Sequence, residues 1–446
     1  MASTEFTFTQ SAGTSTKKYT VSMWFKGRPL VSGTCGFWGC GTGTGDGTSL
    51  HWLDTGKFSL ETWDGSSNPK AETTGLFRDP AAWYHLVFSI DTTDSDANER
   101  LKIWINGVEE TVFTNDVTIT QDADIPGWSG SGDTMKIGNR ILDGDAFYTG
   151  SLAHVHVIDG TIYAASAFGE TDSTSGIWIA QTSPSVTYGT NGGFYKFASG
   201  ALTTDSSGES NTLTEVGSPT TTKDNPDNNW CTVNPIDNYY GNSTFSNGNN
   251  TIVTPSSTYS YNTGTMYLST GLWYWEEKIN SSSGYDMVGI ADKPSIATDG
   301  WLGYYTNTYC YRSENGQTYT AGSGTAYGDT FTTGDIIGVY LDLTANKLYF
   351  AKNGTIQNSG TGISITAAAS TTNGYYTPGV GDYHNSGGGT YDLNFGNGYF
   401  GTALIASASA DAGGEGQFKY NPSTGTFDGS SKDFRAICTN NIATYG

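Results

Sequence analysis

Residues 334–354 read GDIIGVYLDLTANKLYFAKNG. Ile337, Val339, Leu341 and Leu343 alternate with Gly338, Tyr340 and Asp342, and Leu348 and Phe350 resume the apolar side after Thr344-Ala345-Asn346. Apolar residues at period two place one face of a strand on a core, so the stretch reads as two strands joined by a polar turn. It closes on Asn353-Gly354, a dipeptide suited to the positive φ angles of a tight hairpin. The N-terminal half repeats the pattern: WYHLVFSID at 83–91, a charged loop, then LKIWING at 101–107. Leu86, Phe88 and Ile90 match Leu101, Ile103 and Ile105 in period. One such hairpin per half predicts two sandwiches of one general architecture.

Composition agrees. Gly 60, Tyr 28, Phe 20 and Trp 12 among 446 residues, with only 14% charged, favour short strands, many turns and aromatic packing over helices. Lys and Arg total 21 against 43 Asp and Glu, a net charge of −22 with no basic cluster, so neither nucleic acid nor an anionic membrane is an expected partner. No apolar run approaches membrane-spanning length, and MASTEFTFTQ carries neither the basic nor the apolar region of a secretory leader; synthesis in the cytoplasm is expected. Five cysteines cannot all pair within one chain, and free thiols are expected. Cys35 and Cys40, in CGFWGC, are the only close couple, open to a loop disulfide but two ligands short of a zinc site.

Along the chain, KYTVSMWFK at 18–26 alternates as a buried strand, and a Gly-rich loop is expected over 33–47. Further strands are expected at 49–53, 57–63, 135–138 and 150–158. Ser199 to Asn229 is Ser/Thr/Asn/Gly/Pro-rich, a linker or an extended surface strap. Cys438-Thr439-Asn440-Asn441 echoes Cys231-Thr232-Val233-Asn234, so these two ends are expected side by side around the second sandwich.

KKYTVSMWFKGR, WYHLVFSIDTT, LKIWINGV, MKIGNR and FYTGSLAHVHVIDG, in this order, resemble the concanavalin A-like jelly roll of laminin-G type found in tailed-phage virion proteins. AFGETDSTSGIW and VTYGTNGGFYKF, which follow, look like the segment attached to that domain in marine phage structural proteins. Leu272-Trp273-Tyr274-Trp275-Glu276, Met287-Val288-Gly289-Ile290-Ala291, the 334–354 hairpin and Tyr391-Asp392-Leu393-Asn394-Phe395-Gly396 resemble a SPRY domain, another two-sheet sandwich. The expected fold is therefore all-β: a laminin-G-like jelly roll over 1–165, a connecting segment and linker over 166–229, a SPRY-like sandwich over 230–400 and a C-terminal extension over 401–446.

Some concanavalin A-like sandwiches are glycosidases, and retaining ones need two carboxylates about 5 Å apart. The Glu-x-Asp-x-x-Glu strand usual in them is missing, and adjacent Glu276 and Glu277 point to opposite faces of a strand, so both are expected to be charges at a strand end. No Gly-x-Ser-x-Gly elbow or phosphate-binding loop occurs, and glycines 39–47 read as a flexible loop. His154 and His156 in AHVHV share one strand face, expected to be solvated, since no third metal ligand is in sight. Asp94-Ser95-Asp96-Ala97-Asn98 opens like a calcium loop but has Glu99 where glycine is required and Ile105 where the bidentate Glu belongs. No cofactor is expected; were calcium bound, the laminin-G resemblance places it at Asp143 and Asp145.

Aromatic residues are the remaining signal. Trp301, Tyr304, Tyr305, Tyr309, Tyr311 and Arg312 crowd a loop-rich stretch of the second sandwich, and Trp38 and Trp63, like Trp52 and Trp128, fall in or beside loops of the first. Flat rings with polar edges suit sugars and protein surfaces, so the first eight are the expected ligand-binding residues, although core packing should claim at least half of all these aromatics. The resemblance implies a non-enzymatic protein at the surface of a tailed-phage virion, in a tail fibre, spike or capsid decoration. Its implied partners are host-surface glycan or protein and other virion subunits, in a homo-oligomer, a trimer being one form. A glycan depolymerase and an intracellular peptide-binding SPRY adaptor are the alternatives.

Overall fold

The computed structural model describes residues 4–27, 33–43, 45–66, 70–115, 119–142, 146–173, 176–181, 183–237, 243–293, 300–383 and 387–446. Among these, antiparallel strands dominate, and one short α-helix, Thr439–Tyr445, lies near the C-terminus. The chain divides into two units, Met1–Thr221 and Thr222–Gly446. Each is a β-sandwich.

In the first unit an eight-stranded sheet runs in the order Phe113–Thr114, Lys70–Thr73, Phe58–Trp63, Asp46–Trp52, Cys35–Gly43, Thr134–Ile137, Glu5–Thr9, Thr214–Val216. The six-stranded sheet runs Gly193–Tyr195, Ser151–Asp159, Lys18–Lys26, Trp83–Asp91, Leu101–Ile105, Val108–Glu110. The period-two residues meet between them: Val21, Met23, Phe25, Leu86, Phe88 and Ile103 from one sheet, Phe37, Trp38, Leu50, Trp52, Phe58 and Leu60 from the other. The hairpin at Asn106-Gly107 has φ angles of 49° and 81°, as the dipeptide predicts.

Three expectations for this unit change. The glycine-rich stretch is a central strand, Cys35–Gly43, and its glycines serve close packing: a Cβ on Gly36 would lie 2.2 Å from the backbone nitrogen of Arg140, and one on Gly39 2.8 Å from that of Ile141. The described residues of 166–216 are built into the unit, with Leu213 in the core and Thr214–Val216 paired to Glu5–Thr9, so of the two forms expected for this stretch 199–216 takes the strap and not the free linker. His156 is buried, because the register of Ser151–Asp159 against Lys18–Lys26 shifts between Ala153 and His156, and His154 takes a φ of 46°.

The reason His156 and His85 are buried is a second apolar layer on the outer face of the six-stranded sheet. Ala165, Phe168, Tyr188 and Phe194 pack there on Val87, Trp104 and Ile158. His156 stacks on Phe194 at 3.9 Å and meets the Tyr188 hydroxyl at 3.0 Å through Nδ1. Trp178 Nε1 donates to His85 Nδ1 at 2.9 Å, and indole is a donor only, so the neutral His85 ring carries its proton on Nε2, 2.8 Å from Ser22 Oγ.

In the second unit the larger sheet runs Thr244–Ser246, Thr251–Val253, Thr390–Asn394, Leu272–Ser281, Ile336–Asp342, Lys347–Lys352, Thr355–Ile356, with Ile363–Ser364 also on Lys347–Lys352. The six-stranded sheet runs Ser260–Thr263, Thr377–Asp382, Asp286–Ala291, Tyr309–Arg312, Gln317–Thr320, Ser323–Ala326. Ile337, Val339, Leu341, Leu348 and Phe350 enter the core between them, and Asn353-Gly354 turns the hairpin with φ angles of 50° and 80°.

The C-terminal extension covers the outer face of the larger sheet. Phe418, Phe427, Phe434, Ala436 and Cys438 pack with Trp230 on Tyr274, Tyr340 and Tyr349. Trp230 bridges Cys438 antiparallel, and Cys231 N–H donates to Ile437 O at 3.0 Å, so the two echoing segments do lie side by side. Lys223 Nζ and Asn228 reach Glu415, which builds this end of the 199–229 stretch into the second unit.

Glu276 and Glu277 are fully buried in the middle of Leu272–Ser281, which corrects their reading as strand-end charges. Glu276 faces the C-terminal extension and accepts from Lys419 N–H, Tyr420 N–H, Asn394 Nδ2 and Tyr274 OH at 2.8–3.1 Å. Glu277, on the opposite face, accepts one bond from Trp275 Nε1 at 3.1 Å, and its Oε2 has no partner. All five cysteines are free and buried.

Candidate functional site

The stretch 301–312 divides by strand period. Tyr309–Arg312 is a strand, so Tyr309 and Tyr311 point between the sheets while Cys310 and Arg312 point outward. Tyr311 is fully buried and its hydroxyl donates to Asp329 O; Tyr309 OH lies 3.3 Å from Thr366 Oγ1. These two expected ligand-binding rings are core residues. Trp38 is as well, fully buried in the first unit against Tyr19 and Trp128, because the stretch carrying it is a central strand. Trp63, half-buried, ends the strand Phe58–Trp63 in that unit. Asp143 and Asp145 lie outside the described residues, and among the described residues no three His, Cys, Asp or Glu are grouped to hold a metal.

What remains forms one surface. Trp301, Leu302, Tyr261, Met287 and Cys310 make a buried layer on the outer face of the six-stranded sheet, ringed by half-buried Tyr259, Tyr319 and Tyr383. Trp301 meets Tyr383 edge-on at 4.9 Å, Tyr319 at 5.4 Å and Tyr304 at 5.9 Å. Tyr304 stands against Tyr305 at 5.1 Å, and Tyr304 is 47% exposed, which leaves a ring for a partner. Lys293 Nζ lies 4.8 Å over Tyr305.

Arg312 organises the other side of this surface. Its guanidinium sits 4.3 Å from the Tyr383 ring, 5.1 Å from Tyr285 and 5.3 Å from Tyr319, and pairs with Glu314 at 2.6 Å. The side chain is nearly buried and its Nε has no partner. A planar cation held between rings is rigid and weakly hydrated, so this face loses little entropy on binding. The geometry offers flat apolar rings with hydroxyl edges and a caged cation.

Trp301, Tyr304, Tyr305 and Arg312 are thus brought together, and Tyr259, Tyr285, Tyr319, Tyr383 and Glu314 were missed. Tyr319 could have been found by period two once Gln317–Thr320 was recognised as a strand opposite Cys310. Tyr259, Tyr285 and Tyr383 sit just beyond strand ends, where only strand order brings them to Arg312.

Trp301, Tyr304, Tyr305 and Arg312 fall within a match to a known domain. Residues 272–389 match the SPRY domain, and residues 2–167 match the concanavalin A-like lectin/glucanases superfamily. The chain is therefore an all-β protein with a concanavalin A-like domain followed by a SPRY domain, two classes that fit a binding role. An 87-residue stretch, 19% of this chain, is 34% identical to Ran-binding protein 9 of Xenopus laevis and equally to Ran-binding protein 10 of Danio rerio. That stretch is 16% and 14% of those proteins, so the chain spans only a small part of the relatives it matches. Among solved structures it is similar to the SPRY domain of human HERC1 at 22% identity, covering 34% of this chain and 91% of that one with a TM-score of 0.29. Stonustoxin is similar at 20% identity over 37% of this chain and 27% of its own, also with a TM-score of 0.29.

Proposed function

We propose that the chain is a non-enzymatic binding protein whose SPRY domain engages a partner protein through the face of Trp301, Tyr304, Tyr305 and Arg312. The observation that carries this reading is the exposed Tyr304 ring against Trp301, which in turn packs on Tyr319 and Tyr383, two of the three tyrosines that cage the Arg312 guanidinium. Rigid aromatic and arginine side chains are the commonest anchors of protein interfaces. The likeness of 87 residues to Ran-binding proteins is further support for a protein ligand. The motifs of the first unit support the setting: the surface of a tailed-phage virion after synthesis in the host cytoplasm, on a tail fibre, spike or capsid decoration. There the partner is a neighbouring subunit or a host-surface receptor, protein or glycan, and the chain works as a homo-oligomer.

Tyr304→Ala with Tyr305→Ala should weaken attachment to particles or adsorption to host cells by about 2 kcal/mol while near-UV circular dichroism stays native. Unchanged attachment and adsorption with an intact fold would reject this face. Labelling of the particle by antibody would place the protein on tail or head, and failure to label any particle, with binding to intracellular peptides instead, would favour the adaptor reading that the Ran-binding likeness suggests.

No hydrolase activity is part of the proposal. Glu276 and Glu277 are sealed on opposite faces of one strand, where no glycosidic bond can lie between them. Release of reducing sugar from host polysaccharide, abolished by replacing a single carboxylate, would overturn it.

A further inference from the structure

The hairpin of Gln317–Thr320 and Ser323–Ala326 borders the tyrosine face of the second unit. Its outer strand, Ser-Gly-Thr-Ala, ends the six-stranded sheet with all four residues exposed, whereas Ser260–Thr263 at the opposite end is buried throughout. Among the described residues no strand pairs with the outer side of Ser323–Ala326. Natural proteins discourage pairing at such an edge with a charge, a proline or a bulge. Val108–Glu110, which ends the six-stranded sheet of the first unit, carries Glu109 and Glu110. Ser323–Ala326 carries no charge and no proline, and its register runs without a bulge.

The register decides which backbone groups face outward. Ala321 and Gly322 form a two-residue turn with φ angles of 49° and 73°, and such a turn makes the enclosing Thr320 and Ser323 a hydrogen-bonded pair. Alternation then directs the N–H and C=O of Gly324 and Ala326 away from Gln317–Thr320, to the open side. The turn is fastened to the loop of the tyrosine face: Ala321 N–H donates to Tyr305 O at 3.2 Å and Gly322 N–H to Gly303 O at 3.0 Å. The edge is preformed, so a ligand need not order it.

Side chains on the outer face supply selectivity. Gly324 pairs with Tyr319, and a Cβ on it would lie 2.8 Å from the Tyr319 ring and 2.4 Å from Gln317 Oε1. The missing side chain lets the Tyr319 ring lie over the edge, within reach of an added strand. Tyr319 continues into the tyrosine face through Trp301 at 5.4 Å and the Arg312 guanidinium at 5.3 Å. A strand laid on Ser323–Ala326 thus sets every second side chain beside this ring, a place suited to β-branched or aromatic residues. Backbone bonds from two outward residues contribute little by themselves, so the occupant must gain from the rings as well. A second copy pairing edge to edge would bring together two chains of net charge −22.

We propose that the partner of the tyrosine face supplies an extended segment that pairs with Ser323–Ala326 as a further strand and places alternate β-branched or aromatic side chains against Tyr319. This rests on the reading of that face as a protein-binding surface.

The isotope-labelled full chain would be titrated with acetyl-Thr-Val-Thr-Val-Thr-amide while amide hydrogen exchange is followed. Saturable binding in the millimolar range is expected, with exchange slowed at Gly324 and Ala326, and none for the counterpart N-methylated at every residue. Ala326→Pro removes one outward N–H and keeps the bonds to Gln317–Thr320, since proline is tolerated on an edge strand with its nitrogen toward solvent. It should weaken peptide binding at least about tenfold while near-UV circular dichroism stays native. Unchanged exchange at Gly324 and Ala326, equal binding of the N-methylated counterpart, or undiminished binding by the folded variant overturns the strand pairing; the first two need no variant. The tyrosine face is judged separately, by particle attachment of the variant carrying Tyr304→Ala and Tyr305→Ala, which keeps the edge. A dimer in sedimentation that Ala326→Pro dissociates would assign the edge to a second copy and overturn the partner segment.

Discussion

Acidification weakens the first unit, and the buried His85 and His156 lead the loss. Its ring is fully buried, and burial, followed by the neighbouring His154, lowers its pKa from 6.5 to about 3. Protonation would also place an N–H on Nδ1, facing the indole N–H of Trp178 that now donates to it. The unfolded chain binds this proton from pH 6.5 downward while the folded chain refuses it, so stability present above pH 6.5 is lost as pH falls toward 3. At pH 5 the loss from His85 alone is about 2 kcal/mol. His156 and His51 are also lowered, burial being the main cause in each, and act in the same direction. Glu61 adds to them below about pH 4.5: burial raises its carboxyl, but His51, Lys70 and Arg140 outweigh burial and hold it at about 2. Denaturant midpoints measured across this pH range should fall with pH for the native protein and fall less steeply for His85→Gln. Parallel slopes in the two proteins would remove His85 from the account, whatever the absolute stability of the variant.

Alkalinisation weakens the second unit, through Glu277 above all. This carboxyl is fully buried among the core side chains of the sandwich, and burial raises its pKa well above 4.5 against a single opposing bond from Trp275. Glu276 is held at about 7, burial again raising it and the N–H groups of Lys419 and Tyr420 opposing. Here the folded chain binds protons that the unfolded chain releases. Stability is fully present below pH 4.5 and declines as pH rises toward each folded value. Each such group contributes a slope of about 1.4 kcal/mol per pH unit while it stays protonated in the folded state. Glu277→Gln keeps the Oε1 acceptor for Trp275, removes the titration, and is expected to raise the melting temperature of the second unit at pH 8 and flatten its decline above pH 5. A variant no more stable than the native protein at pH 8, with an unchanged slope, would show that Glu277 is not the protonated group. Because the two units respond to pH in opposite directions, calorimetry should show the first melting earlier in acid and the second earlier in base.

The legible part of this fold was the part encoded by short-range period. The hairpins at 83–107 and 334–354 announce themselves because alternation is a property of neighbouring residues, and the Asn-Gly that closes each one turns into the next strand with the positive φ angles the dipeptide allows. The four ordered motifs between Leu272 and Gly396 similarly point to a SPRY sandwich before any coordinates. Within the candidate site, Trp301, Tyr304, Tyr305 and Arg312 were visible as a dense aromatic stretch.

Burial on the outer faces of the sheets was not legible, since it depends on what the rest of the chain lays over them. His156 and Glu276 look solvated on strands whose other face is apolar, yet the 160–195 segment covers one and the C-terminal extension the other. Glycines 36 and 39 read as a flexible loop until Arg140 and Ile141 are seen against them. Tyr309 and Tyr311 separate from Arg312 only when the strand Tyr309–Arg312 sets their faces, and Tyr285, Tyr319 and Tyr383 join Arg312 only through strand order. The sequence alone determined the all-β class, the two hairpins and the aromatic richness, because local period and turn chemistry suffice for them. Which rings reach solvent and which acids and histidines are sealed was decided by tertiary structure, because both depend on layers contributed by residues distant in the chain.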